Sequence, residues 1–341
     1  MQTSFSELQT FARCPRKYYY NNVLKLQRKR VALPLALGIL MHEALQEYYL
    51  GGESAMWQAV EQFEQDYLDK PFVLDDDFVV FEDLLQQTRV MLREYLAYYP
   101  NDDLGTVLHV EEQFTLTLAS GSVVTFTPDL VVRDADGVVW VVDHKTTGRL
   151  PDAGLPYGEM QARLYLAAVR AMYPECGGFI FNYIRKKAPR QPRLNKTAPH
   201  WVSDLARVDT TFDILHTFLL EEAPHLLKEP SHRRRLQELY STNNFFRRVR
   251  VLSSAEADAA VVEDTEMWCA NMDDAAATGR YPRHFANHLH GIMSCQSCSY
   301  LAVCQSDLMG WDTESVILQQ YEPLDLSHKN YESEPPDDDD S

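Results

Sequence analysis

Five consecutive apolar residues at 138–142 are followed at once by three polar residues, Asp143, His144 and Lys145. A short apolar run without alternation is typical of a β-strand that is buried on both faces. Because side chains alternate along a strand, we expect Asp143 and Lys145 to share one face and His144 to lie on the other. Burying charged side chains at the end of a strand costs free energy, and a protein is expected to keep them there only if they have a function. We therefore interpret Asp143 and Lys145 as functional residues. The alternative is a surface ion pair at a strand end.

The preceding strand brings a second carboxylate, Asp129, towards this pair. With a two-residue hairpin loop Asp129 would lie opposite Val142, and with a three-residue loop it would lie opposite Asp143. Either register sets the two carboxylates roughly 5–7 Å apart between Cβ atoms. Mg²⁺ binds one or two protein carboxylates and completes its octahedron with water and substrate phosphate. A neighbouring lysine can orient the attacking water or offset charge on the phosphorus.

The periodicity of the whole chain predicts an α/β protein with a mixed central sheet flanked by helices. Ser4 and Glu7 form a capping-box pattern at the start of the first helix. Helices are expected at 5–21, 37–50, 55–68, 79–99, 158–173 and 254–278. Strands are expected at 107–118, 123–132, 138–143 and 178–185. We divide the chain into an N-terminal helical region (1–105), a core (106–187), a basic helical elaboration (188–290), a cysteine segment (291–321) and a disordered acidic tail (322–341).

The charge is unevenly distributed along the 341 residues. The 32 Lys and Arg against 50 Asp and Glu give a net charge of −18, which taken alone argues against a nucleic-acid-binding protein. However, residues 322–341 contain eight of the acids, and residues 185–250 contain 14 basic against seven acidic residues, which gives +7. Two basic segments also contain aromatic residues, a pattern that suits single-stranded nucleic acid. They comprise Arg13, Arg16, Lys17, Tyr18, Tyr19, Tyr20, Lys25, Arg28, Lys29 and Arg30, and then Arg233–Arg235 with 243–250, including Phe245 and Phe246. A solvated basic face is the alternative for the second.

The sequence also lacks several common signals. The N-terminus has no apolar region of a secretory signal, and the longest apolar stretch, 31–41, is too short to span a bilayer, so we expect a cytoplasmic protein. No Gly-Lys dipeptide occurs, which excludes a P-loop and therefore a built-in helicase motor. Any unwinding would need a partner protein.

Three of the six cysteines, Cys295, Cys298 and Cys304, lie within ten residues near the end of the chain. Clustered thiols in a reducing compartment indicate a metal site more often than disulfides. Zn²⁺ and an iron–sulfur cluster both need a fourth ligand, for which Cys14 is the candidate. Unligated thiols are the remaining alternative. Cys176 and Cys269 fit no ligand spacing and are expected to be buried apolar residues.

Pro128-Asp129 followed by Asp143-His144-Lys145 resembles the motif of the PD-(D/E)XK nucleases. Residues 38–45 resemble the Gly-x-x-x-His-x-x-Leu helix of the RecB-like branch, and residues 161–165 resemble its Gln-x-x-x-Tyr helix. The similarity covers about residues 5–187 and then 290–305. Where that branch often has Gly-x-x-Asp-Arg, this chain has Thr-Pro-Asp-Leu at 127–130.

The resemblance implies a restriction-endonuclease-like core that hydrolyses DNA with Mg²⁺ or Mn²⁺. It implies that His42 joins Asp129 and Asp143 at the metal, and that Gln161 and Tyr165 face the same cleft and position DNA. The AddB-type and CRISPR-associated RecB-like exonucleases are similar in having one cysteine before the core and three after it, around a 4Fe-4S cluster. By this similarity Cys14, Cys295, Cys298 and Cys304 would hold the cluster and join the two ends of the fold, with zinc as the second choice.

We therefore predict a metal-dependent exonuclease that acts on DNA ends or single strands in recombination, repair or DNA processing. A helicase or a recombination or annealing protein would be a suitable partner. Glu111 or Glu112 could add a carboxylate to the site, and chance acidic surface explains them equally well. A protein of another class, a non-catalytic DNA-binding adaptor on the same fold, is the alternative, and the intact set of Asp129, Asp143 and Lys145 argues against it.

Overall fold

The computed structural model describes residues 1–29, 33–68, 75–100, 104–151, 160–197, 201–252, 254–284 and 295–323. The described strands are β1 (Gln2–Ser4), β2 (Leu26–Arg28), β3 (Thr106–Val110), β4 (Phe114–Thr117), β5 (Val123–Phe126), β6 (Leu130–Arg133), β7 (Val139–Thr147), β8 (Cys176–Arg185), β9 (Phe246–Leu252) and β10 (Tyr321–Pro323). The α-helices are α1 (Phe5–Arg13), α2 (Pro15–Tyr18), α3 (Leu33–Leu68), α4 (Asp75–Tyr98), α5 (Met160–Met172), α6 (Phe212–Glu222), α7 (Pro230–Ser241), α8 (Ala255–Thr278), α9 (Leu301–Met309) and α10 (Thr313–Gln320). None of these helices is long and apolar enough to cross a membrane.

A five-stranded mixed sheet in the order β3-β6-β7-β8-β9 forms the centre of the fold. Only the β7–β8 pair is parallel, and α5 makes the crossover between them. Val139 and Val141 of β7 lie in a core with α1, α5 and α8, whereas Trp140 and Val142 lie in a cluster on the opposite face. α3 packs against β3 and β7 on that second face. The predicted mixed α/β architecture is therefore confirmed.

Two of the predicted strands are each divided in two. The segment 107–118 divides at Glu111, which has a φ of 50° and donates its backbone N–H to Asp129 O. The segment 123–132 divides at residues 127–129, where Pro128 has no N–H to donate to a ladder. As a result β3 and β6 join the main sheet, while β4 and β5 form a separate sheet with β1. The expectation of two long strands was wrong for this reason.

The first predicted helix is also interrupted. The capping box of Ser4 and Glu7 is present, but α1 ends at Arg13 and Cys14 is extended, with a φ of −162°. A residue before proline disfavours helical geometry, and Pro15 then begins α2. The two predicted helices 37–50 and 55–68 correspond to α3, which has a kink at Gly52 (φ 80°).

The two ends of the described chain lie against each other. β2 pairs with β10, and Tyr300 donates its hydroxyl proton towards Asn21 Oδ1 and Leu26 O, both at 2.7 Å. Asp307 on α9 accepts from Tyr20 OH at 2.9 Å and forms ion pairs with Arg16 and Arg283. Protein contacts thus join the N- and C-terminal segments. The described residues do not show the predicted cysteine-ligated cluster that would join them as well. Most of the predicted tail, residues 324–341, lies outside the described residues.

Candidate active site

The hairpin of β6 and β7 brings Asp129 and Asp143 together. Leu130 pairs with Val142 and Val131 with Val141, which is the register of the three-residue loop. The loop is fixed by Asp134, whose Oδ1 accepts from the backbone N–H groups of Asp136 and Val138. One step further along this register, Asp129 lies beside Asp143, and both are buried, at 8% and 5% exposure.

Asp143 is held on both of its oxygens. Lys145, two residues further along β7, places Nζ 2.9 Å from Oδ2. Gln161, in the first turn of α5, donates from Nε2 to Oδ1 at 2.8 Å. Burial raises the pKa of the Asp143 carboxyl and the neighbouring Asp129 adds to the rise, which Lys145 only partly opposes. The surrounding protein groups therefore compensate the negative charge of Asp143 only in part.

Asp129 has different partners from Asp143. Its Oδ2 accepts the backbone N–H of His144 and lies 3.5 Å from Nδ1 of His42 on α3. Burial raises the pKa of Asp129, but His42 and His144 outweigh burial and the net shift is downward. Burial lowers the pKa of His42, but Asp129 outweighs burial there too and the net shift is upward. His42 and Asp129 therefore form a charge-coupled pair beside Asp143.

These donors fit a hard divalent cation in their chemistry, since they offer two buried carboxylates and an imidazole. A cation would also offset the two causes that raise the pKa of Asp143, its burial and the charge of Asp129. In the arrangement observed, each donor is engaged by a protein group, and the described residues contain no group of three or more His, Cys, Asp or Glu side chains placed to hold a metal ion. A bound cation would have to replace or rearrange contacts such as the Lys145–Asp143 ion pair.

Tyr165 lies one turn of α5 beyond Gln161 and is buried. Its ring stacks on Phe126 with 4.4 Å between centroids and meets Phe5 edge-on at 5.5 Å. Burial raises its pKa, and a side-chain hydrogen bond with Gln161 opposes the rise. Tyr165 thus contacts the residue that holds Asp143, and its exposed fraction is only 5%.

The two further glutamates lie on the segment between β3 and β4. Glu111 holds the backbone of Asp129 through its own N–H, at 3.0 Å. Glu112 pairs with His109 and is mostly exposed. Neither of these two contacts places a glutamate carboxylate against Asp129 or Asp143.

Sequence reasoning gave no role to two buried polar residues on the other face of the sheet. His144 and Asn182 are 2% and 0% exposed. Asn182 interrupts the apolar run Phe179–Phe181 and Tyr183–Ile184 of β8, and this was the signal that could have drawn attention to it. Asn182 Nδ2 lies 2.7 Å from Nδ1 of His144 on the neighbouring strand.

The four cysteines of the predicted cluster are half-buried and form no disulfide. Burial raises the pKa of the Cys295 thiol, and Cys304 and Cys14 raise it further. Burial likewise raises the pKa of Cys298, with smaller contributions from Cys14 and Cys295 in the same direction. The fold therefore brings Cys14 close to the C-terminal cysteines, although the side chains as placed do not form a metal-binding group. Cys176 and Cys269 are buried at 3% and 1% exposure, as predicted.

Three aromatic residues of the two basic segments are buried. Tyr20, Phe245 and Phe246 are 1–2% exposed, so these rings lie inside the fold. Tyr20 belongs to the hydrophobic cluster at the chain ends, and Phe245 and Phe246 belong to the cluster that contains residues of α3 and α4. Arg16 pairs with Asp307, and Arg248 lies 3.7 Å over the ring of Tyr99. Arg30 lies outside the described residues.

A buried acid pair with a lysine on a mixed sheet is the arrangement that the resemblance to the PD-(D/E)XK nucleases predicts. A model of the PD-(D/E)XK nuclease superfamily matches residues 2–305, so the chain belongs to this superfamily. Its nucleases act on DNA and generally use Mg²⁺ or Mn²⁺. No curated protein matches the sequence.

Two solved structures are similar to this chain at low identity. The protein SSO0001 is 12% identical, with a TM-score of 0.32, over 89% of this chain and 86% of that one. A protein from Eubacterium rectale, provisionally named an exonuclease, is 17% identical, with a TM-score of 0.34, over 69% of this chain and 81% of that one.

Proposed function

We propose that the chain is a metal-dependent exonuclease that hydrolyses phosphodiester bonds at DNA ends or in single strands. The observation that carries the proposal is the set of Asp129, Asp143 and Lys145, in which a buried acid pair lies beside an amine that reaches solvent. The Lys145 side chain is 37% exposed whereas that of Asp143 is 7% exposed. The amine can therefore meet a substrate phosphate at the surface while its carboxylate partner stays inside.

Asp129, Asp143 and His42 would hold Mg²⁺ or Mn²⁺, which when bound acts as a Lewis acid on the phosphate and lowers the pKa of a coordinated water. Lys145 would orient the attacking water and offset negative charge that develops on the phosphate oxygens. Gln161 holds Asp143 Oδ1 in place from α5, so that the carboxylate keeps one orientation. Tyr165 supports Gln161 from the buried side of the same helix.

Cys14, Cys295, Cys298 and Cys304 would hold a 4Fe-4S cluster, and zinc is the second choice. Their support is the proximity of the four thiols at the junction of the chain ends, where burial and the neighbouring cysteines raise the pKa of Cys295 and of Cys298. A cluster there would add to the contacts of β2 with β10. We assign it no part in the hydrolysis. The biological setting that fits is recombination, repair or DNA processing with a partner helicase or annealing protein.

The test is cleavage of end-labelled single- and double-stranded DNA, with free ends and with 5′ or 3′ ends blocked. Wild-type protein with Mn²⁺ or Mg²⁺ should shorten substrates with free ends and should lose activity in EDTA. Cleavage of closed circular single strands at the same rate would contradict the exonuclease assignment. DNA binding without any metal-dependent cleavage would favour the non-catalytic adaptor instead.

A further inference from the structure

The ring of His144 lies between α3 and the central sheet. It stacks on Tyr49 of α3, with 5.6 Å between centroids and 12° between planes. It also meets His42 edge-on at 6.2 Å. His42 and Tyr49 are seven residues apart, which is two helical turns, so both project from one face of α3. The His144 ring therefore contacts the part of α3 that carries His42.

A buried hydrogen-bond network fixes this ring. Asn182 Nδ2 donates to Nδ1 of His144 at 2.7 Å and to the hydroxyl oxygen of Tyr95 at 2.8 Å. All three residues are at most 2% exposed. In a low-dielectric interior such a network favours a single arrangement, because each lost bond would leave a buried polar group unpaired.

The network continues to two more elements through the Tyr95 hydroxyl. Arg248 on β9 donates to it from Nη2 at 3.1 Å, and the hydroxyl of Tyr49 lies 3.3 Å from it. β7, β8 and β9 are thereby joined to α3 and α4 on the face opposite to Asp143. The helix that carries His42 is thus tied to the sheet through polar contacts as well as through apolar packing.

The same residue acts on the candidate site through its backbone. The N–H of His144 donates to Oδ2 of Asp129, the oxygen that also faces His42. We propose that His144 is a positioning residue that sets the distance between His42 and Asp129, with its ring docking α3 and its backbone N–H holding the carboxylate. This role rests on the proposed function and extends it to a side chain on the face of β7 opposite to Asp143.

The test compares His144→Phe and Tyr95→Phe with the wild-type protein. Both variants keep an aromatic ring and remove hydrogen bonds of the network. The measurements are kcat and KM on end-labelled DNA at saturating Mn²⁺, the dissociation constant of Mn²⁺ from electron paramagnetic resonance of the free ion, and the melting temperature. We expect kcat to fall and Mn²⁺ binding to weaken on the order of 10–100-fold, as for other groups that orient metal ligands. KM for DNA should stay within about twofold, since neither His144 nor Tyr95 is assigned to DNA.

Tyr300→Phe is the matched control. It also removes a buried tyrosine hydroxyl with two hydrogen bonds, but in the hydrophobic cluster at the chain ends. It should lower the melting temperature and leave kcat per folded molecule and Mn²⁺ binding unchanged. If His144→Phe has the kcat and the Mn²⁺ affinity of the wild-type protein, the positioning role is overturned. If His144→Phe does not fold, wild-type kcat and Mn²⁺ affinity in Tyr95→Phe overturn it instead. A wild-type protein that neither binds Mn²⁺ nor cleaves DNA would overturn the proposed function, and the positioning role with it.

Discussion

Gln161 donates a hydrogen bond from Nε2 to Oδ1 of Asp143, 2.8 Å away, while Lys145 engages the other oxygen. A helix that follows β7 in the chain thus returns to fix the orientation of a carboxylate on that strand. Gln161→Ala would leave Oδ1 buried without this donor. We expect it to cost about 1–3 kcal/mol of unfolding free energy and to reduce kcat roughly 10–100-fold. Denaturant unfolding and cleavage kinetics measure the two effects, and unchanged kcat would exclude a supporting role for Gln161.

Lys145→Ala should abolish cleavage while the protein still folds and binds DNA, with a lower free energy of unfolding because the buried Asp143 carboxylate loses this amine. The amine lies at the partly exposed edge of the site, so its removal takes no group from the hydrophobic core. Loss of such a transition-state contact typically costs on the order of 100-fold or more. Cleavage of labelled DNA together with a binding titration checks both parts. Near-wild-type cleavage by this variant would contradict the active-site assignment.

The hairpin shows how far the sequence could predict the site. The apolar run before Asp143 and the alternation of side chains placed Asp143 and Lys145 on one face, and their ion pair is present. The sequence left two registers open because loop length is decided by the side chain of Asp134, which caps the turn. The contact between His144 and Asn182, which are 38 residues apart in the chain, was beyond sequence reasoning, since it depends on the parallel register of their two strands.

The carboxylates of Asp143 and Asp129 should have opposite effects on stability. Melting temperatures measured in EDTA at different pH values can separate the two effects. The folded-state pKa of Asp143 lies above its usual value, so the ionised carboxylate destabilises the fold as pH rises through that range. Asp143→Asn should therefore raise the melting temperature at neutral pH, and the gain should vanish at acidic pH, where wild-type Asp143 is protonated. A lower melting temperature for this variant at neutral pH would contradict the upward shift.

Asp129→Asn is the matched variant with the opposite sign. The folded-state pKa of Asp129 lies below its usual value, so the ionised carboxylate stabilises the fold above the unfolded-state pKa. That stability is lost as pH falls through the folded-state pKa. The variant should have a lower melting temperature than wild type at neutral pH, and the two should converge at acidic pH. Melting curves in EDTA from neutral to acidic pH check both variants.

A buried charge cluster between α5 and α8 should contribute more to stability than any exposed pair. Asp258 is 4% exposed and accepts from Arg163 at 3.2 Å and from Arg170 at 2.8 Å. Asp258→Ala would leave the buried Arg163 without this partner, which typically costs about 3–5 kcal/mol. Glu175→Ala is the control, since its pair with Arg133 is about 40% exposed on both sides and should cost less than about 1 kcal/mol. Chemical denaturation measures both, and equal losses would contradict the ranking.

The cysteines allow a prediction that separates the cluster from the hydrolytic site. If they bind a 4Fe-4S cluster, protein purified without oxygen should be brown, with iron and sulfide in comparable amounts. Cys304→Ser should lose the colour, because a hydroxyl replaces a thiolate ligand, whereas Asp143→Asn should keep it and lose only cleavage. Colourless protein with stoichiometric zinc would contradict the iron–sulfur assignment.

Two further variants, Cys14→Ser and Asp307→Ala, test which contacts join the chain ends. Cys14→Ser should lose the cluster, and a full, stable cluster in this variant would remove Cys14 from the ligand set. Asp307→Ala leaves the four cysteines unchanged but removes the carboxylate that contacts Tyr20, Arg16 and Arg283. Metal binding adds to the folding free energy of the region that it crosslinks. The double variant of Cys304→Ser and Asp307→Ala should therefore be cleaved by protease near the chain ends more than either single variant. Limited proteolysis of the two single variants and the double variant measures this, and equal cleavage in all three would show that the protein contacts and the cysteines do not act together.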